Sequence, residues 1–426
     1  MSSQASVTLD RPDEVRARSG ASGPVAALTR AALGRLLTRL IRTGSLTVTL
    51  PSGAALHAGD GTGEPVQIRL RDTRTAWRLA LYPGLGLGEA WMDGDVVLEK
   101  GTLWELLDLV GRNLSLRPPP RRGRLARLWR RIEQANDRAT ARRNVAHHYD
   151  LSLDLYRRFL DADLQYSCAY FERPGMTLDE AQVAKKRHLA AKLLLEPGQS
   201  VLDIGCGWGG LAMTLAEEAG TRVTGITLSD EQLAVAQTRA RERGLADRVA
   251  FRKQDYRDVE GTFDRIVSVG MFEHVGVPNY QAYFDAIARL LTDEGVAVLH
   301  AIGQNHVSVS NQPWIGKYIF PGGYTPALSE ILPAIERAGL WVTDIEILRL
   351  HYAETLKAWR ERFEANRAEI AAVYDERFCR MWEFYLCLSE VAFRYRGCMV
   401  FQIQLSKRVD AVPLTRDYIA AAESTA

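Results

Sequence analysis

Cysteine is scarce in this chain of 426 residues: Cys168, Cys206, Cys379, Cys387 and Cys398, an odd number without CxxC spacing. That argues against a disulfide framework or a zinc site and points to a reducing compartment. No charge-free run approaches 18 residues, so no spanning segment is expected, and the Ser-, Ala- and Arg-rich start has no apolar stretch for a signal peptide. Excess charge is lacking too. A net charge of +2 gives no global field to draw in nucleic acid. Internal repeats are absent. With 46% hydrophobic and 25% charged residues, the expectation is a cytoplasmic globular protein of two or three domains.

Local charge is more telling. In LTRAALGRLLTRLIRTG (28–44), leucines and alanines recur at helical spacing, with Arg30, Arg35, Arg39 and Arg42 mostly on another face. Such a helix can pack on the following domain or lie on an anionic lipid surface. From Arg117 to Arg143 there are ten arginines against two acids, Glu133 and Asp137, after the linker-like Pro118–Pro120. This stripe is either a solvated face or an anchor for phosphate head groups. An RNA-stacking platform is not expected, since Trp129 stands alone among the arginines.

Between these lie SLTVTL, VQIRL and WRLALY, read as strands, and the helical LWELLDLV. The expected organisation is a loose N-terminus (1–26), a small α+β domain (27–115) suited to lipid-surface or dimer contact, a basic linker (116–143), a catalytic domain (144–410) and a tail (411–426). From about 178, helices alternate with the apolar strands SVLDIGC, TRVTGITLS, VAFRKQD, DRIVSVG and VAVLHAIG, with WVTDIEIL and MVFQIQLSK closing the series. That pattern predicts an α/β fold on a mostly parallel sheet.

VLDIGCGWGG (201–210) ends a buried strand at Asp203, and Gly205, Gly207 and Gly209 allow backbone to approach a ligand. A GxGxG loop alone serves NAD, FAD or S-adenosylmethionine. A dinucleotide site wants an acid after the second strand, where this chain has Thr227 and Leu228. Its acid comes after the third strand, in Gln254–Asp255–Tyr256, where it suits an adenine amino group and ring. The order fits a methyltransferase better than a dehydrogenase. SVGMFEHVG (268–276) sets Glu273 beside His274 at a strand end, a pairing open to metal, acid/base or capping roles. His147–His148 lack a third ligand at useful spacing, so no metal site is expected.

Taken together, NVAHHYDLSLDLYRRFLD (144–161), QYSCAYF (165–171), VLDIGCGWGG, GITLSDEQ, SVGMFEHVG, LHAIG (299–303) and LRLHYAETLKAW (348–359) resemble the cyclopropane-fatty-acyl-phospholipid synthase family, which includes the mycolic acid cyclopropane synthases. GLGLGEAWMDGDVVLEKGTLWELL (84–107) resembles the small N-terminal domain of its phospholipid-modifying members. The resemblance implies a class I S-adenosylmethionine-dependent methyltransferase (Rossmann-like) fold with a seven-stranded sheet. It also implies methylene transfer from S-adenosylmethionine to the cis double bond of phospholipid acyl chains at the inner membrane surface, by a peripheral homodimer. A carbocation forms on the acyl chain and loses a proton to bound bicarbonate as the ring closes. By this resemblance the bicarbonate is held by Cys168, Glu273, His300, the Ile302 amide and Tyr352. Cofactor contacts fall on Tyr166 and Ser167 at the amino-acid end, Asp203, Gly205, Gly207 and Gly209 in the loop, Thr227, Leu228, Ser229 and Gln232 at the ribose, and Asp255, Tyr256 and Arg257 at adenine. Tyr170 and Phe272 are candidate aromatic faces for the cation; His274 and His351 are assigned structural roles.

Many relatives carry a cysteine four residues before a Phe-Arg in the last long helix. Here that position is Ser389, with Cys387 two residues earlier, which argues against an essential thiol in this helix. Alternatives are a sister enzyme that methylates without ring closure, a catalytically silent lipid-surface protein, and a small-molecule methyltransferase.

Overall fold

Alternation along each central strand decides which side chain faces which layer. On β5 (Ser200–Ile204), Val201 points to one face and Leu202 and Ile204 to the other; on β8 (Phe263–Val269), Val267 and Ile266 divide the same way. Both faces are therefore apolar, as expected of a sheet covered on both sides. The computed structural model describes residues 24–116, 152–307 and 312–425. The Arg117–Arg143 segment, His147–His148 and the first 23 residues lie outside the described residues.

Two compact units are present, Met1–Leu106 and Leu107–Ala426. The first holds helix α1 (Pro24–Leu40) and a four-stranded sheet of order β2-β1-β3-β4, formed by β1 (Leu46–Thr49), β2 (Ala55–Ala58), β3 (Val66–Leu70) and β4 (Val96–Lys100). WRLALY, expected as a strand, instead ends helix α2 (Thr73–Leu81). Asp72 caps this helix by accepting from the Thr75 N–H, and Thr75, Ala76 and Leu79 form its buried face. The short alternation within WRLALY was overridden by the longer helical spacing. Helix α3 (Pro83–Met92) follows, and the division between units falls within α4 (Leu103–Ser115).

The second unit contains a seven-stranded sheet of order β10-β11-β9-β8-β5-β6-β7, completed by β6 (Arg222–Thr227), β7 (Val249–Lys253), β9 (Leu291–Gln304), β10 (Trp341–Leu348) and β11 (Cys398–Ser406). Strands β5 to β9 pair in parallel, whereas β11 pairs antiparallel with β9 and β10. Helices α5 (Leu153–Phe159), α6 (Leu178–Leu193), α7 (Gly210–Ala219) and α8 (Asp230–Glu242) lead into and through the parallel half. Leu189 and Leu193 of α6 and Leu211, Met213 and Leu215 of α7 build one core layer with Val201 and Val267. Opposite them, Phe284 and Ile287 of α9 (Tyr280–Leu290) and Ile331 and Ile335 of a later helix pack on Leu202 and Ile266. That later helix is α11 (Leu328–Arg337), after the short α10 (Pro313–Tyr318).

Three helices, α12 (His351–Ala365), α13 (Arg367–Val373) and α14 (Glu376–Tyr395), intervene before β11. Residues 417–425 of the expected tail form α15 (Asp417–Thr425), which returns to the body: Glu423 bonds His188 Nδ1 at 2.5 Å. His188 Nε2 meets Glu346 at 2.8 Å. With a carboxylate on each ring nitrogen, both nitrogens act as donors, and His188 is held as an imidazolium whose pKa is raised by these partners against the cost of burial. No described helix is long and apolar enough to cross a membrane, and the described residues contain no metal-binding cluster.

Candidate active site

At the carboxyl ends of β5, β6 and β7 the chain opens into a cleft of about 1220 Å³, the open solvent at its mouth included. Ligands of open α/β sheets bind at this edge. The turn after β5 lets the backbone line the cleft: Gly205 and Gly207 have φ of +83° and +53°. A Cβ at Gly207 would meet nothing within 4 Å, whereas one at Gly205 would press on Met271. Asp203, Thr227, Leu228, Gln232, Asp255, Tyr256 and Arg257 also line the cleft, as do Tyr166 and Ser167.

Two expected cofactor residues are placed in helix-starting positions beside the cleft lining. Gly209 (φ +82°) starts α7, and a Cβ there would lie 2.5 Å from the Phe251 ring. Ser229 caps α8 by accepting from the Gln232 N–H. Neither lines the cleft.

The acids of the cleft differ. Burial pushes Asp203 up to about 7, with Lys185 pulling the other way, and its Oδ2 is buried without a hydrogen-bond partner. Asp255 accepts from Arg257 Nε at 2.8 Å and Nη2 at 2.6 Å, so it enters the site already neutralised.

A second cavity adjoins the first. Tyr166, Ser167, Gly270 and His274 line both. Its wall brings together Cys168, Glu273, His300, Ile302 and Tyr352, five residues from four separate stretches of sequence. Each arrives for a local reason. Glu273 lies in the short turn Phe272–His274 just beyond β8, while His300 is on the neighbouring β9, paired with Val269. Cys168 sits in the loop before α6. The Ala169 and Phe171 N–H groups donate to Thr355 Oγ1 and His351 Nδ1, both at 3.0 Å, pinning this loop beside Tyr352 in the first turn of α12.

The cavity is desolvated. Burial raises Glu273 to about 7, raises the Cys168 thiol and drives His300 well below its usual value, keeping that imidazole neutral. Gln402 Nε2 stands 3.2 Å from His300 Nδ1, an arrangement that puts the ring proton on Nε2. That Nε2 is buried without a protein partner, and so is Glu273 Oε2. The Ile302 N–H, expected to face a bound anion, donates to Glu273 Oε1 at 2.6 Å. In this state the amide holds the carboxylate.

Several side chains depart from expectation. Phe272 is fully buried among Tyr280, Tyr283 and Phe284, away from both cavities. Tyr170 lies stacked between His188 and His351, with ring centroids 4.1 and 5.1 Å away. Neither reaches the cavity; the aromatic walls are Phe320, Tyr324, Tyr352 and Tyr166 instead. His274, assigned a supporting role, lines both cavities, and burial lowers it to about 4. Cys387 and Ser389 line neither cavity.

Sequence reading also passed over Tyr385, whose hydroxyl bonds that of Tyr166 at 2.8 Å, and Gln402. Gln402 had a signal: a fully buried glutamine in MVFQIQLS, an otherwise apolar central strand, needs a polar partner.

Known proteins agree with this architecture. The family model for mycolic acid cyclopropane synthetase matches residues 136–403. The chain is 40% identical to the cyclopropane-fatty-acyl-phospholipid synthase of Escherichia coli K12 over 346 residues, covering 81% of this chain and 89% of that one. It is 36% identical to the tuberculostearic acid methyltransferase UfaA1 of Mycobacterium tuberculosis over 400 residues, 89% of this chain and 92% of that one. Among solved structures it is similar to mycolic acid cyclopropane synthase CmaA1 complexed with SAH and CTAB, with TM-score 0.59 and 36% identity, covering 62% of this chain and 97% of that one. The fold is that of the S-adenosylmethionine-dependent methyltransferases, and this chain belongs to the mycolic acid cyclopropane synthetase family.

Proposed function

We propose that this protein transfers a methylene unit from S-adenosylmethionine to the cis double bond of unsaturated phospholipid acyl chains, forming a cyclopropane ring. One observation carries the reading: the cleft meets, at Tyr166, Ser167, Gly270 and His274, a mostly apolar cavity lined by Cys168, Glu273, His300, Ile302 and Tyr352.

The cleft suits the cofactor. Glycine backbone lines one side, and Asp203 offers an unpartnered carboxylate oxygen for a donor such as an ammonium or hydroxyl. When bound, S-adenosylmethionine supplies an electrophilic methyl group. An alkene is a feeble nucleophile, so the residues of the cleft contribute chiefly by orientation and by excluding water. Phe320, Tyr324 and Tyr352 line the second cavity and are the aromatic residues available to a transient positive charge.

The second cavity fits a small oxyanion. His300 Nε2–H is a buried donor without a protein partner, and Glu273, raised to about 7, can carry a proton and share it with an anion. Cys168, Glu273, His300, the Ile302 amide and Tyr352 would hold bicarbonate, which supplies the base for ring closure. The cavity's own residues keep that base out of bulk water. The basic 117–143 segment docks the protein on anionic lipid, and a homodimer is the expected assembly.

A second reading is methylation of the same double bond without ring closure. It is favoured by the 36% identity to UfaA1, a relative named as a methyltransferase, across almost the whole of both chains. Incubation with isotope-labelled S-adenosylmethionine and monounsaturated phospholipid vesicles separates the two. NMR of the product should show a cyclopropane; a saturated methyl branch, a methylene branch or no lipid product overturns the main reading.

A further inference from the structure

Lys185 is buried in the middle of α6, yet its ammonium group has only neutral hydrogen-bond acceptors. It donates to Gln165 Oε1 at 2.6 Å and to Ser167 Oγ at 3.0 Å. The ion pairs among the described residues include none with Lys185: Asp163, nearby, is engaged by Lys186, Arg239 and Arg243. Asp161 on the preceding loop attracts the ammonium but forms no direct ion pair with it, and a buried charge so indirectly paired costs stability.

Ser167 is bonded at both of its oxygens. Its hydroxyl oxygen accepts a hydrogen bond from Lys185, and its carbonyl oxygen accepts one from Gln182 Nε2 at 3.0 Å. The hydroxyl proton therefore remains for donation elsewhere. Ser167 is also one of the four residues lining both cavities. A hydroxyl backed by an ammonium, on a residue that lines that junction, can act as a charge-assisted donor.

We propose that Lys185 is a positioning residue that aims and polarises the Ser167 hydroxyl toward an oxyanion at the junction of the two cavities. The oxyanion is either the α-carboxylate of the cofactor's amino-acid end or the small anion of the second cavity. The proposal rests on the cofactor and anion sites described above but not on the nature of the lipid product. The field of Lys185 reaches the groups around the junction: Asp161, Asp163 and Cys168 on the preceding loop, Lys186 on its own helix, Asp203 on β5 and His300 on β9. Burial lowers Lys185 to about 8 against the pull of Asp161.

The test compares wild type, Lys185→Met, Ser167→Ala and the double variant in the full-length protein. Calorimetry measures affinity for S-adenosylhomocysteine and for its decarboxylated analogue; turnover is followed against bicarbonate concentration. If the cofactor carboxylate is the partner, each single variant weakens S-adenosylhomocysteine about tenfold but leaves the decarboxylated analogue unchanged. If the small anion is the partner, half-saturation by bicarbonate rises while S-adenosylhomocysteine affinity holds.

In either case the double variant should lose no more than the worse single variant, because Lys185 acts through Ser167. Wild-type oxyanion binding should also weaken above pH 8, and Ser167→Ala should remove that dependence. Unchanged binding of both oxyanions, equal loss of the analogue, or multiplicative losses in the double variant would overturn the proposal. Should Lys185→Met fail to fold, Ser167→Ala decides by its pH profile alone. These binding measurements stand even if no cyclopropane lipid is found.

Discussion

Under the proposed function, Glu273 is the side chain on which the chemistry would turn. It is enclosed, has one oxygen on the Ile302 amide and the other without a protein partner, and is raised to about 7 by burial. Glu273→Gln keeps an acceptor for that amide but cannot carry negative charge. It should retain S-adenosylhomocysteine binding by calorimetry while product formation falls at least a hundredfold, the scale of losing a group in proton transfer. Its stability should also change with pH in a defined direction. A carboxyl whose folded value lies above the ordinary 4.5 stabilises the folded state below pH 4.5, and this contribution is lost as pH rises toward 7. The variant should therefore gain on wild type across that interval, by something on the order of 3 kcal/mol, and level off above it; urea unfolding at stepped pH measures the difference. At this scale the sequence was partly legible. Family resemblance named Cys168, Glu273, His300 and Tyr352, which the fold gathers on one cavity wall. It did not tell which way an aromatic ring turns: Phe272 and Tyr170 lie within two residues of site residues, yet one faces the core and the other is clasped between two histidines.

Elements place these residues, and two glycines of one loop separate placement from recognition. Gly207→Ala puts a methyl group into open space, so the left-handed backbone should cost only about 1–2 kcal/mol, with cofactor affinity reduced by the added bulk. Gly209→Ala meets Phe251 as well as an unfavourable φ, and should cost more than about 2 kcal/mol in a chemical-denaturation midpoint. The motif pattern treats both as cofactor residues because spacing cannot distinguish backbone that faces a ligand from backbone that faces a ring. For the same reason the core strands were legible from their apolar runs, whereas WRLALY was not: five alternating residues fit a strand until Asp72 and the longer helix register are included. The final helix gives another test. Glu423→Ala removes one carboxylate from the His188 imidazolium and should cost about 1–2 kcal/mol. Because His188 has a raised folded value, that penalty should be fullest below 6.5 and fade as pH rises through the raised value, visible as converging melting curves.

For the whole molecule, the proposed division of labour is between a sheet edge that would carry chemistry and a basic stretch of sequence that would carry none. Ten arginines between 117 and 143 predict binding to vesicles containing anionic lipid, strongest at low salt and much reduced at high salt, in a flotation assay. Neutralising several of them should lower vesicle binding and leave S-adenosylhomocysteine affinity unchanged. The hydrogen bond between Ile302 and Glu273 has a further consequence. Because the amide is already answered by a carboxylate, a small anion would arrive as a competitor, and its measured affinity would be the difference between two affinities for the same N–H. Protonating Glu273 would weaken the resident acceptor and tip that exchange toward the newcomer, so the cavity would select its anion through an internal rival whose strength is set by a single proton.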